Sequence, residues 1–348
     1  MRIKSVQLFL ILAGFSVFSS CLKDHPDDCI NPPVNLSGNR GVYIANEGNF
    51  QFGNAKVSYY DIESETVIED LYQPANGVPL GDVCQSICSF NGKIYLVVNN
   101  SAKVVVVDPD TFVATDAISG FNSPRYFLPV SNSKAYVSDL YANTIAIVDL
   151  STNTISGHIP CPGWTEEMAL VYGKAFITNP YRDKVYVINT ATDVIEDSIQ
   201  VSYGPNSIVE DKNGHLWVLC GGDEAKSTYP ALYRIDPVTK LAEQSFQFNC
   251  LSDKPWRLDI NGTHDTLYFL NESVFQMSIT AGNLPDSPLI AAGTANFYGI
   301  GIDPSSGVIY VADAIDYVQR GVVYRYKPDG TLINSFLAGI VPGDFYFD

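Results

Sequence analysis

Gly92-Lys93-Ile94-Tyr95-Leu96-Val97, followed by Val104-Val105-Val106-Val107-Asp108, is a pair of short runs whose pattern the chain repeats. Both runs are short and almost wholly apolar, which is typical of strands buried on both faces. The same pair of apolar runs recurs at residues 134–137 and 144–149, and again at residues 173–177 and 184–189. An Asn or Asp and a short polar gap separate the runs in each copy. This pattern therefore predicts two antiparallel strands joined by a turn.

The two-strand pattern recurs at a nearly constant period. Its seven copies open at residues 41, 92, 133, 173, 214, 265 and 307, with spacings of 51, 41, 40, 41, 51 and 42 residues. A period of roughly 40–45 residues with several short strands per unit is typical of propeller blades. We therefore predict an all-β chain folded as a seven-bladed β-propeller of four-stranded antiparallel blades. No helical periodicity competes with this strand pattern.

A further recurring segment lies between the copies and is predicted to be the innermost strand of each blade. Its clearest examples are residues 124–128, 205–209, 255–259 and 296–300. The chain ends on Asp344-Phe345-Tyr346-Phe347, a segment of this type with no blade after it, whereas the first blade opens at Gly41 with a second strand. We therefore expect the C-terminal strand to complete the N-terminal blade and close the ring without free sheet edges.

The N-terminus predicts export. Arg2 and Lys4 precede an apolar run from Val6 to Phe18, as in a secretory signal peptide, here residues 1–20. Phe18-Ser19-Ser20-Cys21 resembles a bacterial lipoprotein cleavage box, which implies lipidation of Cys21, although an ordinary signal peptide with a chance Cys is the alternative. Residues 21–40 form an acidic, Pro-containing tether, and residues 41–348 form the propeller.

The acidic residues just after Cys21 bear on location. Asp24, Asp27 and Asp28 resemble the surface-export signals of lipoproteins in Gram-negative gut anaerobes, the alternative being a solvated acidic linker. We expect a lipid-anchored outer-membrane protein facing the cell surface, with membrane contact only through its anchor. The sequence leaves the leaflet orientation and the oligomeric state open.

Composition excludes some partners. After the predicted signal the chain has 19 basic and 38 acidic residues, a net charge of −19. Such a charge argues against nucleic acid and anionic lipid surfaces. Six cysteines follow Cys21 without metal-binding spacing, and their disulfide pairing cannot be derived from sequence. Cys84 and Cys88 are expected to be small buried thiols on one face of a strand.

The candidate binding face collects the longer loops. Loops between second and third strands emerge on the same side as those leading into inner strands, and long loops on one rim usually serve binding. Asn or Asp at positions 46, 99, 139, 179, 271 and 313 recurs in nearly every blade and is interpreted as a turn-former. Trp256 has a second interpretation, as a plug of the channel. The predicted ligand-binding residues are Phe50, Phe52, Tyr141, Trp164, Tyr181, Arg182, Tyr229, Trp256, Phe297, Tyr298, Tyr317 and Arg320.

Catalysis finds little support in the sequence. The four histidines are placed in the tether, on an outer strand and at the opposite face, which removes the usual general base from the candidate face. Glu166 and Glu167 are neighbours whose side chains would point oppositely on a strand. We predict no catalytic residues, no metal site and no cofactor, and hence a protein that is not an enzyme.

The repeated sequence pattern resembles that of the YVTN/YncE-type seven-bladed propellers over about residues 41–348. A lipid-anchored acidic version of this length is similar to the surface cobalamin-binding propeller lipoproteins of the BtuG type. That resemblance implies capture of a corrinoid as a ligand and its transfer to a TonB-dependent outer-membrane transporter. Two alternatives stay open, namely a glycan-binding surface lipoprotein and a protein-interaction scaffold.

Overall fold

The computed structural model describes residues 35–348. The predicted signal peptide, Cys21 and residues 21–34 of the tether lie outside the described residues. The described chain forms seven antiparallel sheets, and the innermost strand of each contacts the innermost strands of two neighbours, so that the sheets close into a ring around a central channel. The predicted seven-bladed β-propeller is therefore confirmed.

Blades are numbered along the chain. Blade 1 contains β1 (Gly41–Asn46), β2 (Lys56–Asp61) and β3 (Thr66–Ile68), blade 2 contains β4 (Cys84–Phe90), β5 (Lys93–Val98), β6 (Lys103–Val107) and β7 (Ala114–Ser119), and blade 3 contains β8 (Pro124–Ser131), β9 (Lys134–Asp139), β10 (Thr144–Asp149) and β11 (Thr154–Pro160). Blade 4 contains β12 (Met168–Val171), β13 (Lys174–Thr178), β14 (Lys184–Asn189) and β15 (Val194–Gln200), and blade 5 contains β16 (Pro205–Glu210), β17 (Leu216–Cys220), β18 (Ala231–Asp236) and β19 (Leu241–Gln247). Blade 6 contains β20 (Trp256–Ile260), β21 (Thr266–Asn271) and β22 (Ser273–Ser278), and blade 7 contains β23 (Phe297–Ile302), β24 (Ile309–Asp313), β25 (Arg320–Tyr326) and β26 (Leu332–Ile340). The chain then returns to blade 1 as β27 (Pro342–Phe347), and the connections hold one short helix, α1 (Tyr72–Asn76), with 3-10 turns at Asn99–Ser101 and Glu224–Lys226.

The core lies between the blades. Each blade packs both faces against its neighbours, so the middle strands are apolar on both faces, and all of Val104–Val107 is buried. The outermost strands contact solvent, and in β15 only Ile199 is fully buried. This gradient explains why the second and third strands carried the clearest sequence signal.

Ring closure follows the predicted pairing. In β27, Phe347, Tyr346 and Phe345 lie opposite Val42, Tyr43 and Ile44 of β1. The rings of Tyr310 and Phe347 are 5.3 Å apart, so the closing strand also contacts blade 7. β23 approaches β27 so closely that a Cβ at Gly301 would lie 2.7 Å from Phe345, and only glycine fits there. The predicted closure by the C-terminal strand is confirmed.

Blade 6 is narrower than the others. It has three strands rather than four, and an isolated bridge between Val274 and Ile290 stands in the place of the outermost strand. Pro285 and Pro288 precede that bridge, and proline has no N–H to donate to a strand ladder. These prolines explain why the segment after β22 does not pair along its length.

The cysteines correct one expectation. Cys84 packs in the core between blades 1 and 2, whereas Cys88 packs on the other side, toward blade 3. A β-bulge between Cys84 and Ser86 shifts the register by one residue, so residues four apart point to opposite faces. The expectation of one shared face is wrong. Among residues 35–348 every cysteine is a free thiol.

Candidate functional site

The recurring Asn and Asp residues prove to be structural anchors. Asp139 accepts hydrogen bonds from the backbone N–H groups of Asn122 and Ser123, 3.0 and 2.8 Å from its carboxylate. Asp313 accepts one from Asn296 at 2.9 Å, and the other members of the series likewise bond nearby backbone. Each anchor thus ties the end of a second strand to backbone nearby, often in the loop that leads into an inner strand. Their interpretation as turn-formers is confirmed.

Two cavities meet on the face that carries these loops. The first, here called the mouth, is about 250 Å³ at the top of the central channel and is lined by Arg125, Tyr126, Trp164, Glu166, Glu167, Pro180, Asn206, Trp256, Arg257 and Tyr298. The second, here called the aromatic cleft, is about 390 Å³ across blades 4 to 6 and is lined by Trp164, Pro180, Tyr181, Gly204, Asn206, Gly221, Gly222, Lys254, Pro255 and Trp256. They share four residues and are therefore continuous.

The aromatic cleft has rigid aromatic walls and a backbone floor. Trp164 and Tyr181 meet edge to face with ring centroids 5.2 Å apart. Trp256 meets Tyr298 in the same way at 4.9 Å. In the floor, a Cβ at Gly222 would lie 2.7 Å from the backbone of Pro230, and the residue has φ of +69°. Glycine is therefore required, because the segment that leads to Pro230 occupies the space of a side chain.

Arg125 fixes one wall of the mouth. Its guanidinium donates two parallel hydrogen bonds to Glu166, with N–O distances of 2.8 and 2.6 Å, the geometry of a strong arginine–carboxylate pair. The indole N–H of Trp164 also donates to Glu166, and the Arg125 guanidinium lies 5.4 Å from the Trp164 ring. Trp164 is thus held in one orientation before any ligand arrives, which lowers the entropic cost of binding.

Arg257 fixes the opposite wall. Its φ of +55° is unusual for a residue with a side chain, and it lies at a bulge in β20 between Trp256 and Asp259. Its guanidinium donates to the Tyr126 hydroxyl at 2.9 Å and lies 5.1 Å from the Trp256 ring. The mouth therefore combines two guanidinium groups with tryptophan faces.

Below the mouth, the central channel contains a cavity of about 270 Å³ that Glu167, Asp259 and Asp344 border. Each carboxyl accepts a backbone N–H from a neighbouring inner strand, namely from Ile208 at 3.1 Å, Ile302 at 2.9 Å and Ile87 at 2.9 Å. Burial raises the pKa of Glu167 to about 8 and that of Asp259 to about 6, and it also raises the pKa of Asp344. These groups link adjacent blades, and burial favours the protonated form of each carboxyl.

We predict that the free energy of unfolding falls as the pH rises from about 5 to about 8.5. The unfolded chain has released the protons of Glu167 and Asp259 above about pH 5, whereas the folded pKa values of about 8 and about 6 keep them bound. The stability that these carboxyls contribute is fully present below the pKa values that they have in the unfolded state. It declines as the pH rises and is lost once the pH exceeds their pKa values in the folded state. Denaturant unfolding at pH 5, 6.5 and 8.5 measures the slope.

Glu167→Gln keeps an acceptor for the Ile208 N–H and should flatten the slope between pH 6 and 8.5. The matched control is Glu196→Gln, because ion pairs with Lys174 and Lys240 hold the pKa of this surface carboxyl at about 2. That variant should keep the wild-type slope. An unaltered slope in Glu167→Gln contradicts the assignment.

The structure brings together only part of the set predicted from sequence. Trp164, Tyr181, Trp256 and Tyr298 line the two cavities, and the Tyr317 ring lies 5.6 Å from Tyr298 at their edge. Phe297 is 6% exposed and packs between blades 6 and 7. Arg320 forms an ion pair with Glu69. Outside both cavities, with exposed side chains, lie Phe50, Phe52, Tyr141, Arg182 and Tyr229.

Several residues of the mouth were missed from the sequence. Arg125 and Asn206 directly follow the prolines that open the predicted inner strands, at Pro124 and Pro205, and Arg257 lies two residues after Pro255. A polar residue within two positions of such a proline is the signal that could have found them. These polar residues make the mouth a candidate site.

Within residues 35–348, no cluster of three His, Cys, Asp or Glu side chains is arranged to hold a metal ion. In the same part of the chain, no helix has the length and apolar character needed to cross a membrane.

Comparison with known proteins places the chain among propellers. A family model described as a domain of unknown function (DUF5074) matches residues 40–335. A quinonprotein alcohol dehydrogenase-like protein from Bacteroides thetaiotaomicron VPI-5482 is similar in structure, with a TM-score of 0.69, 17% identity, and coverage of 90% of this chain and 79% of that one. A putative 6-phosphogluconolactonase from Bacteroides uniformis ATCC 8492 has a TM-score of 0.66 and 12% identity, covering 89% and 99%. No curated protein matches the chain in sequence. Sequence identities this low indicate a shared fold, and they do not assign the activity of either neighbour to this chain.

Proposed function

The chain belongs to the DUF5074 family, and we propose that this member captures a corrinoid in the aromatic cleft and the mouth of its propeller. One observation carries the proposal. An open apolar cleft of about 390 Å³ is continuous with a charged mouth of about 250 Å³ through shared Trp164 and Trp256. Such a two-part site suits a ligand that is broad and apolar in one region and polar in another.

A corrinoid has those properties. Its ring is flat and apolar at the centre, amide side chains surround its edge, and cobalamin adds a phosphodiester. Trp164 and Trp256 offer faces for the ring, and Lys254 and the Asn206 amide border the cleft as polar groups for the amides. The size of the combined cavities lies within the usual range for sites that bind small molecules and cofactors.

The proposal is for binding without a protein ligand to cobalt. His158 borders a separate cavity of blade 3, and His215 and His264 lie in hairpin turns at the opposite end of the channel. Imidazole is the side chain that would replace the lower base of a cobalamin. A visible spectrum without the change expected for histidine ligation supports this arrangement, and a histidine-ligated spectrum contradicts it.

We propose binding rather than catalysis. Glu166 is held in its pair with Arg125 and by the Trp164 indole, so it lacks the freedom of a general base. Glu167 has a carboxyl bonded to the Ile208 backbone. Both carboxyls thus support the architecture of the site.

Location and partner are proposed from sequence alone. The signal, Cys21 and the acidic residues after it favour a lipoprotein of the outer membrane, and the resemblance to corrinoid-binding propellers favours transfer to a TonB-dependent transporter. Protease treatment of intact cells tests the orientation, since a surface protein is cleaved and a periplasmic one is protected.

Titration of the purified propeller with cyanocobalamin tests the function directly. We expect saturable one-to-one binding by calorimetry, with soluble glycans as controls that produce no heat. Binding of a glycan without cyanocobalamin overturns the proposal in favour of the glycan alternative. Absence of both leaves a scaffold as the better interpretation.

A further inference from the structure

Arg257 has the local features of a residue kept in place for binding. Its φ of +55° lies in the left-handed region, which is unfavourable for a residue with a side chain and persists only where the surroundings impose it. The side chain is only 10% exposed, yet it borders both the mouth and the channel cavity. A buried cation at a cavity wall needs partners in its surroundings.

The hydrogen bonds of Arg257 are incomplete. A guanidinium has five N–H donors, and among residues 35–348 its one hydrogen bond goes to the Tyr126 hydroxyl. The Nε atom is fully buried and has no acceptor in the described chain. The Nε2 donor of Gln85, whose Oε1 accepts from Arg125, is likewise buried and unpaired.

Carboxyl groups surround Arg257, but none is bonded to it directly. Arg125 has Glu166 as a bidentate partner, whereas the nearest carboxylate oxygen to Arg257 is that of Glu47 at 3.9 Å. Glu47 is already bonded by the Tyr298 hydroxyl at 2.9 Å. Arg257 therefore presents a positive charge to the mouth without a directly bonded carboxylate.

We propose that Arg257 is an anion subsite, which receives a phosphodiester or carboxylate of the ligand whose apolar part occupies the aromatic cleft. The inference rests on the proposed function for the identity of the ligand. In a corrinoid, the group would be the phosphodiester of the nucleotide loop. Guanidinium groups suit such oxyanions because they carry several N–H donors, and here the donors for the ligand are those of the two Nη atoms, since Nε is fully buried.

Cyanocobalamin has the nucleotide loop, with its phosphodiester, ribose and lower base, whereas dicyanocobinamide lacks all three, so the Arg257 variants serve to assign the preference to the phosphodiester. We expect wild-type protein to bind cyanocobalamin about 10- to 100-fold more tightly, as expected for a hydrogen bond to a charged group. Arg257→Gln should reduce or remove that preference, because cyanocobalamin should lose more affinity than cobinamide. Arg257→Lys should retain part of it, and Arg320→Gln, on the same face but outside the cavities, should retain all of it.

The outcomes distinguish the two proposals. Equal weakening of both compounds in Arg257→Gln, or no preference in wild type, overturns the anion subsite while corrinoid binding stands. If wild-type protein binds neither corrinoid, the proposed function fails, and inorganic phosphate and acetate then test the subsite. Thermal stabilisation of wild type but not of Arg257→Gln by either anion supports it, and the more effective anion identifies the chemistry. Equal stabilisation of the two proteins overturns it.

If Arg257→Gln does not fold, the wild-type protein alone still tests the anion subsite. Added phosphate should then reduce the preference for cyanocobalamin over cobinamide, because both oxyanions compete for one guanidinium. A preference that does not respond to phosphate or acetate contradicts the subsite.

Discussion

Deletion of residues 342–348 is expected to lower the free energy of unfolding by roughly 5 kcal/mol or more. The deletion removes β27, whose backbone pairs with β1 along the strand. It also removes Phe345, Tyr346, which contacts Tyr43, and Phe347, which contacts Tyr310. The loss is comparable to the whole stability of many domains. Urea unfolding followed by tryptophan fluorescence measures it.

Deletion of Asp348 alone is the matched control. It removes a single backbone hydrogen bond, from Asp348 to Gly41, and should change the stability by less than about 1 kcal/mol. A synthetic peptide covering residues 341–348 should restore part of the stability of the longer deletion by pairing with the open edge of β1. If the longer deletion unfolds at the wild-type urea concentration, ring closure by β27 does not stabilise the protein.

Replacing Trp164 and Trp256 together by Ala is expected to weaken cyanocobalamin binding by about 2–5 kcal/mol, which is about 30-fold or more. Each indole supplies an aromatic wall shared by the cleft and the mouth. The single substitutions should each cost about 1–3 kcal/mol of binding and should be nearly additive. Calorimetric titration of the three variants measures these losses.

The control for the tryptophans is the pair Phe50→Ala and Phe52→Ala. These phenylalanines are 62% and 77% exposed on a loop of the same face, but they border neither cavity. Their removal should leave the affinity within about twofold of wild type. Melting temperatures must be compared as well, because Trp256 also packs against the core between blades 6 and 7. Unchanged affinity in the double tryptophan variant contradicts the location of the site.

The sequence predicted the ring better than the site. The repeat is visible because the middle strands of every blade are buried on both faces, and residues such as Val104–Val107 cannot be polar. Closure was predictable for the same reason, since an orphan inner strand needs a partner. The bulge at Cys84 was not predictable, because a bulge arises from the geometry of strand pairing and leaves no local sequence pattern.

The mouth was harder to predict because its residues come from different blades. Glu47, Arg125 and Arg257 belong to blades 1, 3 and 6, and their approach depends on the diameter of the ring and on one unusual φ. Aromatic residues on loops were predicted as one set, yet Trp164 faces the channel while Phe52 faces solvent. The direction of a loop side chain is set by tertiary contacts that no repeat pattern encodes.

The Asn and Asp anchors have a consequence for how such rings diversify. Because Asp139 and its equivalents bond backbone atoms, these particular bonds do not depend on the identity of the loop side chains. Rim side chains that neither form such bonds nor, as at Gly222, have to be glycine can therefore change with less selection from folding, and a duplicated gene can alter its rim while its scaffold is inherited intact. The same independence makes blades 4 to 6 a natural starting point for directed evolution of new binding proteins.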